Sequence, residues 1–172
     1  MTSANWFSVI LAAGLGTRMK SRLSKVLHPV AGRPMLAHAI SAARHAGASG
    51  SAIVIGPEMQ EDQAKFQQLD PAARFHVQTE RLGTAHAVLA ARPALLDQAA
   101  SHSVVLYGDT PLLRAETLKA VLGELEAGAD LVVIGFEASD PTGYGRLLFD
   151  DKGRLAGIRE EKDASAAERA LT

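Results

Sequence analysis

Residues 7–19 read FSVILAAGLGTRM, a short apolar run followed directly by a glycine-rich turn, and this stretch decides the fold. The run FSVIL predicts a buried β-strand over 7–11. Gly14 and Gly16 predict a tight loop in which backbone N–H groups can approach a polyphosphate, because no Cβ atom stands in the way. The loop lacks the Lys-Ser/Thr of a Walker A sequence, and Met19 replaces the third glycine of GxGxxG. A glycine turn without a ligand is the alternative that this pattern leaves open.

Further apolar runs alternate with helical patterns along the chain. The runs that predict strands are 52–55, 75–78, 104–107 and 131–136. The segments that predict helices are 34–46, 58–69, 84–91 and 115–127. Strands that are apolar on both faces and are separated by helices indicate a parallel sheet covered on both sides. The expected fold is α/β, a doubly wound, Rossmann-like fold with a mainly parallel sheet.

The alternation of strands and helices ends after Phe136. The runs 145–149 and 154–160 flank the turn-forming sequence DDKG at 150–153, and together they predict a β-hairpin that extends from the sheet. A further helix is expected within 164–171. The sequence contains no internal repeat, low-complexity tract or Pro/Gly linker, so residues 1–172 are expected to belong to one domain.

The composition is that of an ordinary globular protein. Of 172 residues, 47% are hydrophobic and 22% are charged. The absence of cysteine excludes disulfide scaffolds, cysteine-based zinc sites and thiol catalysis. No basic residue precedes Arg18, and the N-terminal apolar run is broken by glycines, so this segment fits neither a signal peptide nor a membrane span. We expect a cytoplasmic protein without a membrane partner.

The charge is unevenly distributed along the chain. Residues 1–57 contain six basic residues and no Asp or Glu, although the whole chain has a net charge of −1. Four of these basic residues lie between Arg18 and Lys25, which favours an anionic ligand near the N-terminus. A solvated basic face is the plainer alternative. Nucleic acid is not expected as a partner, because none of the few aromatic residues interleaves with the basic run to provide a base-stacking surface.

Two further strand ends carry candidate chemistry. Asp109 follows the predicted strand 104–107, and a single carboxylate at such a sheet edge suits Mg²⁺, which completes its coordination with phosphate oxygens and water. An Asx-turn or a helix N-cap is the alternative for Asp109. Gln78 ends the preceding predicted strand, and its amide can match the edge of a pyrimidine. The six histidines have no metal-ligand spacing and are interpreted as structural or surface groups.

Several motifs resemble those of sugar nucleotidyltransferases. The longest is LAAGLGTRMKSRLSKVLHPVAGRPML at 11–36, and the narrower ones are GTAHAV at 83–88, LYGDTPLL at 106–113, DPTGYGR at 140–146 and GIREEKDAS at 157–165. In this order they resemble the N-terminal uridylyltransferase domain of the bifunctional bacterial N-acetylglucosamine-1-phosphate uridylyltransferase/glucosamine-1-phosphate acetyltransferase family. The resemblance covers nearly the whole chain.

The resemblance implies a reaction and a set of site residues. The reaction is Mg²⁺-dependent transfer of a uridylyl group from UTP to N-acetylglucosamine 1-phosphate, which yields UDP-N-acetylglucosamine, a cell-wall precursor, and pyrophosphate. Arg18 and Lys25 are implied as the catalytic cations and Asp109 as the metal ligand. The implied substrate contacts are Leu11, Ala12, Ala13, Gly14 and Lys25 for the nucleotide, Gln78, Gly83 and Thr84 for uracil, Tyr107, Gly108 and Asp109 for the pocket wall, and Gly145 and Glu160 for the amino sugar.

Two departures from the family pattern qualify this reading. Ser24 stands where the family usually has Pro, which is expected to loosen the loop that carries Lys25. The chain ends at Thr172, before an NTG segment and a later Asn that in the family supply a sugar contact and a second metal ligand. The β-helix acetyltransferase domain, through which full-length members are expected to form homo-oligomers, is absent as well. The chain is therefore expected to be truncated and to turn over little by itself; a nucleotide-binding fragment or paralogue, and transfer to another sugar phosphate, are the alternatives.

Overall fold

The computed structural model describes residues 5–16, 19–21, 23–98 and 100–172. The chain divides into two compact units, Met1–Leu131 and Val132–Thr172. The first unit contains a parallel sheet with its helices, and the second contains a hairpin with a short helix. The short helix of the second unit, α6 (Ala166–Arg169), lies within the segment 164–171, where a helix was expected.

The first unit is organised around its first strand. Its strands are β1 (Trp6–Leu11), β2 (Pro29–Val30), β3 (Arg33–Pro34), β4 (Ser51–Ile55), β5 (Arg74–Val77) and β6 (His102–Tyr107). The main sheet has the order β5-β4-β1-β6, and all its pairs are parallel. The antiparallel pair β2–β3 forms a separate short ribbon. β1 and β4 each have a neighbour on both edges and are almost entirely buried, so they are the two inner strands of the sheet.

Helices cover both faces of this sheet. They are α1 (Met35–His45), α2 (Gln63–Leu69), α3 (Thr84–Ala90), α4 (Arg92–Asp97) and α5 (Ala115–Glu126). One hydrophobic cluster joins Ile10 and Ile53 of the sheet to residues of α1, α2 and α5, including Leu36, Phe66 and Leu118. A second cluster, on the opposite face, joins the sheet to α3 and α4 through Phe7, Val9, Ala52, Val54, Ala87 and Ala94. The predicted doubly wound, mainly parallel α/β fold is confirmed.

Some predicted elements differ in the structure. The run 131–136 is neither helix nor strand, so the expected fifth strand is absent from this part of the described chain. A strand requires a neighbour that completes its ladder of hydrogen bonds, and an apolar run without such pairing stays irregular. The helix predicted over 58–69 is divided into a 3₁₀ helix, Pro57–Asp62, and α2. The sequence analysis did not predict α4.

The second unit contains the predicted hairpin. Its elements are β7 (Arg146–Phe149), β8 (Leu155–Arg159), a 3₁₀ helix at Glu161–Asp163, and α6. In the turn, the Asp150 carboxylate accepts hydrogen bonds from the backbone N–H groups of Arg154 and Lys152, which lowers the pKa of Asp150. The buried Arg146 guanidinium donates to the carbonyl oxygens of Arg169 and Leu171. These bonds attach the hairpin to the segment around α6.

None of the helices in the described parts of the chain combines the length and the apolar composition needed to cross a membrane.

Neighbouring residues of β6 offer a test of the buried face. Leu106 is 3% exposed within the first cluster, whereas Val105 is 40% exposed on the opposite face. We expect Leu106→Ala to lower the free energy of unfolding by about 2–5 kcal/mol, because it leaves a cavity in the core. Val105→Ala, the matched control on the same strand, is expected to cost less than about 1 kcal/mol. Urea unfolding followed by circular dichroism measures both, and equal losses would contradict this assignment of the two faces.

Candidate functional site

A cleft of about 760 Å³ lies at the carboxyl ends of the parallel strands. This edge is where ligands bind in open α/β sheets. The cleft lining includes predicted site residues from four segments: Leu11, Ala12, Ala13 and Gly14 after β1, Lys25, Gln78 with Gly83 and Thr84, and Tyr107 with Asp109. The fold therefore gathers most of the predicted nucleotide site into one cavity.

The glycine-rich loop continues β1 into the cleft. The backbone N–H of Ala12 donates to the Val54 carbonyl at 2.7 Å, which anchors the start of the loop to β4. Gly16 has a φ of +59°, in the left-handed region that favours glycine. A Cβ atom at Gly16 would lie 2.7 Å from the Cβ atom of Lys25. Gly16 therefore allows both the turn and the close approach of Lys25.

Lys25 begins a 3₁₀ helix, Lys25–Leu27, that is anchored by the buried side chains of Val26 and Leu27. Ser24 precedes this helix with a φ of −52°, a value close to the fixed φ of proline, and its hydroxyl contacts the Met59 sulfur at 3.7 Å. Serine thus takes a backbone conformation here that proline also accepts. Ser24 is part of a formed helical turn in this structure.

The ammonium of Lys25 pairs with the carboxylate of Asp109. The Nζ–Oδ2 distance is 2.5 Å, and both side chains are 31% exposed. Each group is thus partly shielded from water and open to the cleft. When no ligand is bound, the opposite charges neutralise each other. An anion together with a divalent cation would offer each group a new partner.

The end of β6 positions Asp109. The backbone N–H of Gly108 donates to the Leu11 carbonyl at 2.9 Å. A Cβ atom at Gly108 would lie 3.2 Å from both that carbonyl oxygen and a methyl of Val26, so a glycine suits this tight contact. Gly108 packs against neighbouring elements and is not among the residues that line the cleft. Tyr107 and Asp109, on either side of it, do line the cleft.

Gln78 is a buried polar residue in the cleft wall, with 5% of its surface exposed. Its amide nitrogen Nε2 donates to the Gly83 carbonyl at 3.2 Å and lies 3.4 Å from Nδ1 of His86. Gly83 has a φ of +101°, again in the glycine-favouring region, and it precedes α3. These contacts hold the Gln78 amide in one orientation.

Arg81 is a cleft residue that the sequence analysis missed. Its guanidinium donates to the Glu58 carboxylate at 2.5 Å. A Cβ atom at Gly56 would meet the ends of the Glu58 and Arg81 side chains, so these two exposed ends use space beside a glycine and would have to shift if Gly56 carried a side chain. Arg81 lies between Gln78 and Gly83 in the sequence, and this position near two predicted base contacts was the only signal that could have indicated it.

Three further predicted site residues either fall outside the described residues or belong to the second unit. Arg18 falls outside the described residues, so its predicted position in the phosphate site stays a prediction. Gly145 and Glu160 belong to the second unit, next to β7 and β8 respectively. A Cβ atom at Gly145 would meet Ile158 at 3.4 Å, an ordinary contact, so packing within the hairpin does not require a glycine there.

The donor set in the cleft fits a phosphate-bound Mg²⁺ ion. The described residues contain no group of three or more His, Asp or Glu side chains that could form a complete metal cage. Mg²⁺ needs no such cage when it is bound with a nucleotide, because one or two carboxylates plus phosphates and water suffice. Asp109 is a carboxylate with access to the cleft and matches this requirement.

The histidines differ in their environments. Desolvation lowers the pKa of His76 on β5, and the positive charge of Arg74 lowers it further. His38 bonds to the Val30 carbonyl and His45 to the Ser41 carbonyl, which agrees with a structural role for both. His86 is different, because its contact is with a residue of the cleft wall.

Comparison with known proteins adds to this geometry. The model of the MobA-like NTP transferase domain matches residues 8–171. The chain belongs to this family. The Bifunctional protein GlmU of Xanthobacter autotrophicus is 54% identical over 171 residues, which are 99% of this chain and 38% of that protein. GlmU of Rhodopseudomonas palustris is 53% identical over 174 residues, covering 100% of this chain and 38% of that protein.

These findings confirm the resemblance that the motifs carried, and they identify a nucleotidyltransferase domain similar to part of GlmU. The chain spans less than two fifths of the length of these curated relatives. A solved structure of a putative glucose-1-phosphate thymidylyltransferase from Bacillus anthracis matches with a TM-score of 0.75 and 20% identity, covering 97% of this chain and 69% of that one. At this identity the match shows a shared fold and nothing more.

Two glycines of the loop predict opposite effects on stability. Gly16→Ala is expected to lower the free energy of unfolding by about 1–2 kcal/mol, because alanine is strained at this positive φ and would also collide with Lys25. Gly14 has open space around its Cβ position and no positive φ, so Gly14→Ala is expected to raise the free energy of unfolding by about 0.4–1 kcal/mol. Denaturant unfolding of both variants checks this, and a loss of the same size in each would refute the loop geometry.

Proposed function

We propose that the cleft binds UTP and that the protein transfers its uridylyl group to N-acetylglucosamine 1-phosphate, releasing pyrophosphate. The observation that carries this proposal is the convergence, at one sheet edge, of a glycine loop, a Lys–Asp pair and a buried glutamine. The cation Lys25 and the anion Asp109 suit a triphosphate with its metal ion, and the amide of Gln78, which has a donor end and an acceptor end, suits the hydrogen-bonding edge of a base. Identity of more than 50% to GlmU proteins over the whole chain supports the same function.

The proposed reaction needs no protein nucleophile. A phosphate oxygen of the sugar 1-phosphate attacks the α-phosphorus of UTP, and the bond from that phosphorus to the pyrophosphate oxygen breaks. The protein's contribution is to align the two substrates and to neutralise charge on the leaving pyrophosphate. This requirement accounts for a site composed of glycines and charged side chains.

The phosphate end of the cleft is assigned to the loop and its cations. Backbone groups of residues 11–14 would cradle the nucleotide, and Lys25 would exchange its Asp109 partner for a phosphate. Arg18 is proposed as a second cation at this end. When bound, Mg²⁺ would supply charge neutralisation between phosphate oxygens, and Asp109 would hold it. Gly145 and Glu160 are proposed to contact the amino sugar.

The base end of the cleft is assigned to uracil. Gln78 presents a fixed amide, because its Nε2 lies within hydrogen-bonding distance of both the Gly83 carbonyl and Nδ1 of His86. Uracil offers an N3–H donor and an O4 acceptor, and cytosine reverses both. A fixed, buried partner loses a hydrogen bond when the wrong base is bound. We propose that Gln78, Gly83 and Thr84 select UTP in this way.

The cellular compartment and the partners proposed for this protein follow from its proposed substrates. UTP and the sugar phosphate are charged metabolites of the cytoplasm, so we propose that the protein acts there, without a membrane or nucleic-acid partner. The product would serve cell-wall precursor synthesis. Homo-oligomer formation through an acetyltransferase domain stays a prediction about full-length relatives.

Asp109→Ala is expected to reduce Mg²⁺-dependent pyrophosphate release by at least about a hundredfold in a longer version of the protein that includes the family's later Asn, because the metal would lose its carboxylate ligand. The matched control is Asp97→Ala, which also removes an ion-paired aspartate but one whose partner, Arg74, lies outside the cleft. The assay couples pyrophosphate release to a colorimetric readout over a Mg²⁺ titration. Near-normal activity of Asp109→Ala at low Mg²⁺ would show that another group binds the metal.

The protein is expected to bind UTP more than about tenfold more tightly than CTP, since one mismatched hydrogen bond at a buried amide costs about 1–3 kcal/mol. Gln78→Ala is expected to remove most of this preference. Calorimetric or NMR titration with each nucleotide measures the dissociation constants. Equal affinities of the wild-type protein for UTP and CTP would contradict uracil selection.

One comparison distinguishes a catalytic protein from the alternative, a protein that binds nucleotide but turns over little. Pyrophosphate release is measured with the 172-residue chain and with the longer version under identical Mg²⁺ and substrate concentrations. A misalignment of about 1 Å can cost about a hundredfold in rate, so the longer version is expected to be much faster. Comparable turnover in both would show that 172 residues suffice. A panel of other sugar phosphates and nucleotides tests the second alternative.

A further inference from the structure

We propose that His86 is a positioning residue for base selection. Its Nδ1 accepts the second N–H of the Gln78 amide, whose first N–H is donated to Gly83, and thereby leaves only the amide oxygen for a pyrimidine. The inference rests on the proposed function, because its consequence is the preference for uracil. It adds a specificity-determining residue that is not itself a base contact.

The identity of the Gln78 atom follows from Gly83. A backbone carbonyl oxygen can only accept a hydrogen bond, so the Gln78 atom that lies 3.2 Å from the Gly83 oxygen must be the donor Nε2. A reversed amide would place two acceptor oxygens against each other. Gly83 therefore removes the usual ambiguity between the nitrogen and the oxygen of a glutamine amide.

The tautomer of His86 follows from the same atom. Nε2 of Gln78 lies 3.4 Å from Nδ1 of His86, and an amide NH₂ group donates and does not accept. Nδ1 must then be the unprotonated nitrogen of a neutral imidazole, with the proton on Nε2 of the ring. Gly83 and His86 are three positions apart at the start of α3, which brings both to the same amide.

The two contacts use both hydrogens of the Gln78 amide. What remains of the group is the carbonyl oxygen Oε1, an acceptor. The N3–H of uracil is a donor and matches Oε1, whereas N3 of cytosine is an acceptor and is rejected by it. Without His86 the amide would retain one free N–H and be held by a single bond about a soft terminal torsion. The free N–H could then turn toward N3 of cytosine while the bond from the same nitrogen to Gly83 is kept.

The test compares three variants of the 172-residue chain by NMR titration with UTP and CTP. His86→Ala removes the acceptor. His86→Asn restores one, since the asparagine Oδ1 can occupy roughly the place of Nδ1. His45→Ala is the control, because His45 is an exposed histidine that bonds to Ser41 outside the cleft. The readout is the ratio of the CTP to the UTP dissociation constant, which global destabilisation would not change selectively.

We expect the ratio to fall from more than about tenfold to less than about threefold in His86→Ala, and to recover in His86→Asn and remain in His45→Ala. An unchanged ratio in His86→Ala, or a failure of His86→Asn to recover it, would overturn the inference. A long-range ¹H–¹⁵N spectrum of the wild-type protein supplies an independent measurement, because it identifies the protonated ring nitrogen. A proton on Nδ1 of His86 would overturn the inference as well. Failure of the proposed function is distinguishable, since it would appear as equal UTP and CTP affinities in the wild-type protein itself.

Discussion

Parallel pairing of β1 with a neighbour on each edge is the constraint on which the site depends. Leu11, the last residue of β1, is in register with Val54 of β4 and with Tyr107 of β6. Because parallel strands all leave the sheet at the same edge, the loops that follow them start close together. The glycine loop and Asp109 therefore meet although 98 positions separate Leu11 from Asp109 in the sequence. Burial of β1 between two helical layers makes this register resistant to slipping.

The phosphate end of the cleft depends on close approach and on charge. Gly16 leaves space for Lys25, and the formed 3₁₀ turn at Lys25–Leu27 directs that lysine to Asp109. The Lys25–Asp109 pair places a cation and an anion side by side in the cleft. A small movement apart would let Lys25 pair with a phosphate and Asp109 with a metal ion. The Coulomb energy of such a partly exposed pair is small, so an incoming metal–phosphate can replace it at low cost.

The base end of the cleft depends on hydrogen-bond direction. A buried glutamine amide has two donors and one acceptor, and its selectivity is determined by which of them the surrounding protein uses. Here a backbone carbonyl of a residue with positive φ and a histidine nitrogen are the surrounding partners. If Gln78 contacts a base as proposed, recognition of that base relies on main-chain conformation as much as on the Gln78 side chain. In the proposed binding mode, the two ends of the cleft would thus use different physical means to bind one nucleotide.

The sequence by itself determined the fold class and the content of the nucleotide site. Short apolar runs that alternate with helical patterns predicted the four strands of the main sheet, because burial on both faces favours apolar residues throughout a strand. The motifs predicted Lys25, Gln78 and Asp109 at strand ends and in the adjacent loops. The run 131–136 looked like another strand, but a strand needs a partner that periodicity cannot reveal.

Only the tertiary structure decided the Lys25–Asp109 pair and the orientation of Gln78 toward Gly83 and His86. The geometry of these contacts forms only when segments that are distant in the sequence, or joined by a turn, pack against each other. The local sequence does not determine the resulting angles and distances.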